Sequence, residues 1–172
     1  LPSRLYYSSV ADINGAITWN TTTQYIDIAP GDGEDLSGIK KFSNALYAFK
    51  PNGVYRIFSI NQTEPDPQIF TGTYSQESIT VAKDGMYWHH PSGFYRLRKG
   101  ESQPIEISRP IYDIVKNVTR ANYTETASWN DDDHVSFYLG NITVYGITIN
   151  NCVARWTIST EIWTIYSYPI PL

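Results

Sequence analysis

A chain of 172 residues has room for one domain with a real core and hardly for two. Lys+Arg 13 against Asp+Glu 17 gives a formal charge of -4, which removes general basicity as a means of holding nucleic acid. One cysteine, Cys152, excludes an internal disulfide framework and a thiol-based zinc site, and no run nears the ~18 apolar residues of a membrane helix. The first residues lack the charged-then-apolar order of a secretory signal, and a start at Leu1 reads as a processed product or a piece of a longer polypeptide.

Ile 20, Val 8 and Thr 16, with Tyr 14, Phe 6 and Trp 5, make a β composition, and Gly 11 and Pro 10 are scattered as punctuation rather than gathered in a linker. The expectation is one all-β domain over residues 1–172. In chain order, Leu5-Tyr6-Tyr7-Ser8 reads as a strand 41 residues ahead of Leu46, an echo of the strand that begins there. Residues 30–35, Pro-Gly-Asp-Gly-Glu-Asp, form an acidic glycine-rich loop in which Asp32, Glu34 and Asp35 are calcium candidates, although the twelve-residue order of an EF-hand is absent.

The main signal is an internal repeat. Residues 46–57 align without gaps on residues 86–97, a spacing of 40, and each copy is an apolar strand, a Pro-Asn-Gly or Pro-Ser-Gly corner and a second strand. Strands over 39–42 and 79–81 lead into these hairpins, and strands over 69–74 and 105–107 come after them, so each unit is a four-stranded meander of propeller-blade size. Residues 109–122 carry helical rhythm: Pro110 suits a first position, Ser108 suits a cap, and Ile111, Ile114, Val115 and Val118 recur at i, i+3, i+4, i+7. Beyond it, strands over 126–129, 135–139, 142–149 and 153–158, broken at Gly140-Asn141 and Asn150-Asn151, complete a fourth unit. Its Val144-Tyr145-Gly146-Ile147 echoes Val54-Tyr55-Arg56-Ile57. The fold expected is a β-propeller-like array of about four four-stranded antiparallel blades, a partial propeller being one form of it, with one short helix near 110–121. A face-to-face sandwich of the same strands is the competing arrangement. Tyr47, Phe49, Tyr55, Tyr87, Trp88, Phe94, Tyr95, Phe137 and Tyr138 are the aromatics expected to pack between blades.

Chemistry-bearing patterns are sparse. His89, His90 and His134 form no metal-ligand spacing; alternation sends His89 and His90 to opposite faces beside a solvated turn. Asp131-Asp132-Asp133 reads as a polar loop, with acid/base work on a glycan as the functional alternative. Neither a nucleophile elbow nor a phosphate-cradling loop occurs, and no catalytic residue, metal or cofactor is assigned. Cys152 reads as a buried small residue. Lys40-Lys41 and Arg96-Leu97-Arg98-Lys99 are short basic clusters, read as solvated strand ends, with phosphate contact as the alternative. Five N-x-[ST] triplets begin at Asn20, Asn61, Asn117, Asn122 and Asn141; they would accept glycans in a secreted or viral-envelope protein, and a Thr-rich composition explains them more simply.

The succession Arg4-Leu5-Tyr6-Tyr7-Ser8, Trp19, Tyr25-Ile26-Asp27-Ile28, Gly31-Asp32-Gly33, Leu36-Ser37-Gly38-Ile39, Leu46-Tyr47-Ala48-Phe49-Lys50 and Gly53-Val54-Tyr55-Arg56-Ile57 resembles tail proteins of short-tailed bacteriophages, of the nozzle, hub or packaged-DNA stabilisation type. The likeness runs from about residue 4 to residue 163. It implies a non-enzymatic virion protein in the phage tail, partnered by other tail proteins in a homo-oligomeric ring at the head-to-tail junction or tail tip. There it would retain DNA and channel it at ejection, with little or no direct binding to the polymer. A carbohydrate- or receptor-binding propeller, with Trp88, Tyr95 or Trp129 stacked on a host-surface glycan, is the alternative, and a glycan-processing enzyme using residues 131–133 is the third.

Overall fold

The computed structural model describes residues 3–59 and 67–169. Backbone only is described for residues 67 and 68, and the Asn61 triplet lies outside the described residues. Among these residues the chain is all-β, with four antiparallel sheets and one short helix. β1 (Arg4–Tyr6) and β2 (Tyr25–Asp27) form a two-stranded first sheet. The second is the meander β3 (Gly38–Phe42), β4 (Ala45–Lys50), β5 (Gly53–Ile57) and β6 (Pro67–Ile69). The third is β7 (Thr80–Val81), β8 (Gly85–His90), β9 (Gly93–Arg98) and β10 (Ile105–Glu106). The fourth is β11 (Ala127–Asp131), β12 (His134–Val144), β13 (Ile147–Thr157) and β14 (Ile162–Tyr166). No described helix is long and apolar enough to cross a membrane.

The repeat governs packing. One strand face of each copy looks toward the preceding sheet and the other toward the next one, as a period of two requires. Ala48, Tyr55 and Ile57 pack with Ile26, Ile28 and Leu5 of the first sheet and its exit. Tyr47, Phe49 and Val54 pack on Met86, Trp88 and Leu97 of the third sheet. Tyr87 and Phe94 pack on Val135, Phe137 and Trp156 of the fourth. Residues 40 apart therefore take the same orientation in the second and third sheets. Of the nine aromatics expected between blades, seven are buried and Tyr95 and Tyr138 are half-buried. Two indoles staple neighbouring sheets: Trp88 Nε1 donates to Thr71 O at 2.9 Å and Trp163 Nε1 to Ile107 O at 2.7 Å.

Several expected boundaries move. The front sheet has two strands rather than four. Its Leu5 pairs directly with Ile26, as Val54 pairs with Ile69, so β1 corresponds to β5, not to the strand at Leu46. β6 ends at Ile69 rather than running to residue 74. In the fourth sheet, the expected strand over 126–129 stands as β11, but the three expected over 135–139, 142–149 and 153–158 become two of 11 residues each, because Gly140-Asn141 and Asn150-Asn151 sit at register shifts, not turns. Side chains repair the ladder there: Asn151 N–H donates to Asn141 Oδ1 at 2.8 Å and Asn122 Nδ2 to Leu139 O at 2.9 Å. The turn is Tyr145-Gly146, both with positive φ, as a two-residue hairpin of matching twist demands. That overturns the echo of Val144–Ile147 with a strand at residue 54. β14, absent from the expectation, completes the sheet.

The helical segment is shorter than its rhythm suggests. α1 covers Tyr112–Val115, flanked by 3-10 turns at Arg109–Ile111 and Arg120–Thr124. Val115 and Val118 are buried against the fourth sheet, so the apolar face is the expected one. Asn117 Nδ2 donates to Asp113 O at 2.7 Å, while the Asn117 and Val118 N–H groups bond three residues back, which breaks the i−4 ladder. Ser108 does not cap: its hydroxyl accepts the Phe94 N–H at 3.1 Å and donates to Glu106 at 2.8 Å.

Candidate functional site

The acidic loop of residues 30–35 holds a cation, and the cation is Lys50. Its side chain has no solvent exposure at the end of β4. Nζ donates to both carboxylate oxygens of Asp32 at 2.8 Å, to Ala29 O at 3.0 Å and to Ser3 Oγ at 3.1 Å. Burial opposes ionisation of Asp32, but the bonds from Lys50 and from the Glu34 N–H outweigh it and hold the carboxyl below its ordinary range. Glu34 in turn accepts the Asn52 N–H at 3.1 Å and the Asn52 side-chain amide, clamping the loop to the β4–β5 turn. The carboxylates of Asp32 and Glu34, both calcium candidates by sequence, are thus engaged by protein donors, and Asp35 stands exposed beside them. Among the described residues no group of three or more His, Cys, Asp or Glu converges on a metal position.

The other polar candidates disperse. Asp131 accepts from His134 Nδ1 at 2.7 Å, whereas Asp133 pairs with Lys83 at 2.5 Å and accepts the Ser159 hydroxyl, so these two carboxylates point to different partners. His89 is buried, not solvated: it packs against Phe94 and Tyr123, and burial, with the neighbouring His90 charge, pushes its pKa down to about 3. His90 lies on the opposite face with Nδ1 at 2.6 Å from Ser92 Oγ. Of the basic clusters read as solvated strand ends, Arg96 alone departs from that reading by being buried, whereas Arg98 is exposed. Arg96 is 2% exposed, and its guanidinium lies 3.0 Å from Glu161 and 3.6 Å from Asp84, which also accepts the Tyr87 hydroxyl at 2.7 Å. Arg98 reaches the same Glu161 at 3.1 Å. Lys99 and Lys41 remain exposed. Trp88 is fully buried and unable to stack on a sugar, a correction forced by its place between the second and third sheets. Tyr95 stacks on it at 5.9 Å, and Trp129 keeps 38% of its surface exposed. Of the described sequon asparagines, Asn117, Asn122 and Asn141 are tied into the hydrogen bonds of the helical segment and the bulged ladder, and Asn20 sits exposed in a turn. Cys152 is buried as expected, and burial pushes its thiol up to about 12.

The surfaces left open are those between and outside the sheets. A groove of 540 Å³ runs between the first sheet and the second, lined by Leu5, Tyr7, Ile39, Lys41, Leu46 and Phe58. A more polar groove of 730 Å³, with Arg98, Lys99 and Glu101 on its rim, lies between the second and third. The outer face of the fourth sheet bears Trp129, Ser136, Arg155 and Thr164 in one row and Tyr138 and Tyr166 in the next. Arg155 lies 5.0 Å over the Tyr166 ring and donates to Ser136 Oγ at 3.2 Å. At the other end, Arg4 lies 3.5 Å over Tyr25 and pairs with Asp27 at 2.6 Å.

No family model matches the sequence, and no curated protein matches it. Among solved structures, a computationally designed protein, Ika8, is similar at 10% identity with a TM-score of 0.42. The alignment covers 85% of this chain and 53% of that one, so the chain spans about half the designed protein's length. Neither Lys50 nor the Arg96 network was visible in the sequence as a site; the one signal for Lys50 is its position at the end of an alternating apolar strand that faces the Gly-Asp-Gly loop.

Proposed function

We propose that the chain is a non-enzymatic structural component of a phage tail. In this reading its sheets are consecutive blades of a β-propeller-like array, built with other tail proteins and copies of itself into a ring that retains DNA and channels it at ejection. The observation that carries this reading is the stacking of successive sheets, the second and third 40 residues apart, in which each interior sheet spends one face on the sheet before it and the other on the sheet after. Such an arrangement serves shape and assembly. The formal charge of -4 suits a conduit wall that DNA must leave freely. Negative-stain microscopy of the polypeptide, alone and mixed with tail partners, tests the proposal: rings are expected, and their absence in both preparations overturns it.

A receptor- or glycan-binding module is the second reading, favoured by Trp129 and Arg155 in one row on the outer face of the fourth sheet, where an exposed aromatic ring and a cation stand near one another. A glycan array combined with a hydrolysis assay separates the readings. Binding without turnover supports the second, and silence in both assays leaves the scaffold.

A further inference from the structure

The first sheet is the outer half of a sheet. Ten residues, 28–37, connect β2 to β3, and ten, 70–79, connect β6 to β7. With Leu5↔Ile26 matching Val54↔Ile69, β1 and β2 take the places of β5 and β6. Among the described residues, no strands take the places of β3 and β4 beside β1.

That gap is written in the burial of the second sheet. Val81 and Met86 of the third sheet, with Ile79 just before it, lie under Phe42, Ala45, Tyr47 and Phe49 of β3 and β4. Their counterparts 40 residues earlier have no such cover. Ile39 is 39% exposed where Ile79 is 3%, Leu46 is half-buried where Met86 is fully buried, and Lys41 is exposed where Val81 is half-buried. The 540 Å³ groove lies over these residues and under the edge of β1, continuing the buried interface formed by Ile26, Ile28 and Tyr55.

The edge itself is ready for another strand. Tyr7 N–H bonds Gln24 O at 3.1 Å and Ile28 N–H bonds Ser3 O at 2.9 Å, so the main-chain groups of residues 3, 5 and 7 turn toward β2. By the alternation of an antiparallel ladder, those of Arg4 and Tyr6 turn to the open side. β3, by contrast, is blunted: Gln76 bonds both Ile39 N–H, at 2.6 Å, and Ile39 O, at 3.1 Å.

We propose that the open edge of β1 and the adjoining groove receive a two-stranded β-hairpin from another polypeptide segment, which adds to β1 through the main chain of Arg4 and Tyr6 and lays aromatic side chains on Ile39 and Leu46. The partner chemistry is set by the third sheet, where the equivalent surface is covered by a hairpin carrying Phe42, Tyr47 and Phe49. The inference rests on the sheet stacking and is independent of a phage-tail role.

The probe is a fluorescein-labelled synthetic peptide with the sequence of residues 38–50, the β3–β4 hairpin, titrated into the whole chain by fluorescence anisotropy. Saturable binding is expected below about 1 mM. Tyr6→Pro removes one N–H on the open side, and Ile39→Lys places a charge in the groove. Each is expected to weaken binding roughly tenfold, the worth of about one hydrogen bond or one apolar contact. A peptide with Phe42, Tyr47 and Phe49 replaced by Ser is expected not to bind. Hydrogen exchange supplies a reading that needs no variant: the Tyr6 amide should become protected at saturating peptide. Absence of saturable binding, equal binding of the Ser peptide, or unchanged exchange at Tyr6 overturns the proposal, whether or not rings are ever seen.

Discussion

The pair Lys50–Asp32 is asymmetric, and the asymmetry predicts a double-mutant cycle. Lys50 has no exposure, whereas Asp32 keeps 31% of its side chain in water. Asp32→Asn leaves a buried ammonium with neutral acceptors only, and stripping a buried charge of its partner costs about 3–5 kcal/mol. Ala29 O, Ser3 Oγ and the new amide oxygen remain to accept its protons, which puts the loss near the low end, about 3 kcal/mol. Lys50→Met removes the charge together with its need for a partner, and Asp32 stays hydrated, so the loss is about 1 kcal/mol. In the Lys50→Met background Asp32→Asn is then nearly neutral, a coupling of about 3 kcal/mol. Urea unfolding at pH 7 measures all four corners, and thermal melts should fall by about 6–12 °C for Asp32→Asn against about 2–4 °C for Lys50→Met. Because the Asp32 carboxyl titrates below its ordinary range, its contribution is present above about pH 4 and lost as the pH falls through the folded value. Asp32→Asn therefore flattens the acid limb of the stability curve. Additive losses, or Lys50→Met as the costlier change, would refute the reasoning.

His89 occupies the position of Phe49 in the repeat, and its Nε2 is buried without a hydrogen-bond partner. The unfolded chain takes a proton below about pH 6.5 and the folded one not until about 3, so stability should fall by up to about 1.4 kcal/mol per pH unit in that window. His89→Phe should remove this slope, and an identical slope in urea titrations of the variant sinks the account. Gly72→Ala would set a Cβ 1.8 Å from Lys50 O and 2.7 Å from Gly53 O, both backbone atoms, and should cost more than about 3 kcal/mol. Gly100→Ala meets no atom within 4 Å and carries only its φ of 90°, a cost of about 1–2 kcal/mol by the same unfolding assay. Cys152 should resist a disulfide reagent at pH 8 in the native chain and react at once in denaturant, since burial keeps the thiol protonated; fast native labelling would contradict its burial.

What was legible in the sequence is what local chemistry dictates. Pro51-Asn52-Gly53 and Pro91-Ser92-Gly93 mark two hairpins because proline and glycine restrict the backbone wherever they stand, and alternation fixes which residue meets which sheet. The fourth sheet misled for a physical reason. Asn and Gly at 140–141 and 150–151 carry turn chemistry, yet their amides were recruited to mend a bulged ladder, a long-range event no local window contains. Tyr145 at positive φ gave no warning of the turn. The site-level features were hidden likewise: Lys50 and Arg96 look like surface cations, and only the loop at Asp32 and the turn at Glu161 bring the carboxylates that permit their burial.

The outer face of the fourth sheet and the groove beside β1 differ in kind. On the third sheet, the face toward the fourth carries Tyr87, His89 and Phe94, all buried. The same face of the fourth sheet carries Ser136, Tyr138 and Arg155, with the Arg155 guanidinium laid on Tyr166 and bonded to Ser136, so its polar groups are satisfied within one sheet. Another apolar sheet set there would have to desolvate that cation, at a cost its area could not offset. In the groove between the first sheet and the second the case is opposite: Leu5, Ile39 and Leu46 are apolar, adjacent and only half covered, and each gains by burial. Burial of further apolar surface is therefore favoured beside β1 and opposed over Arg155.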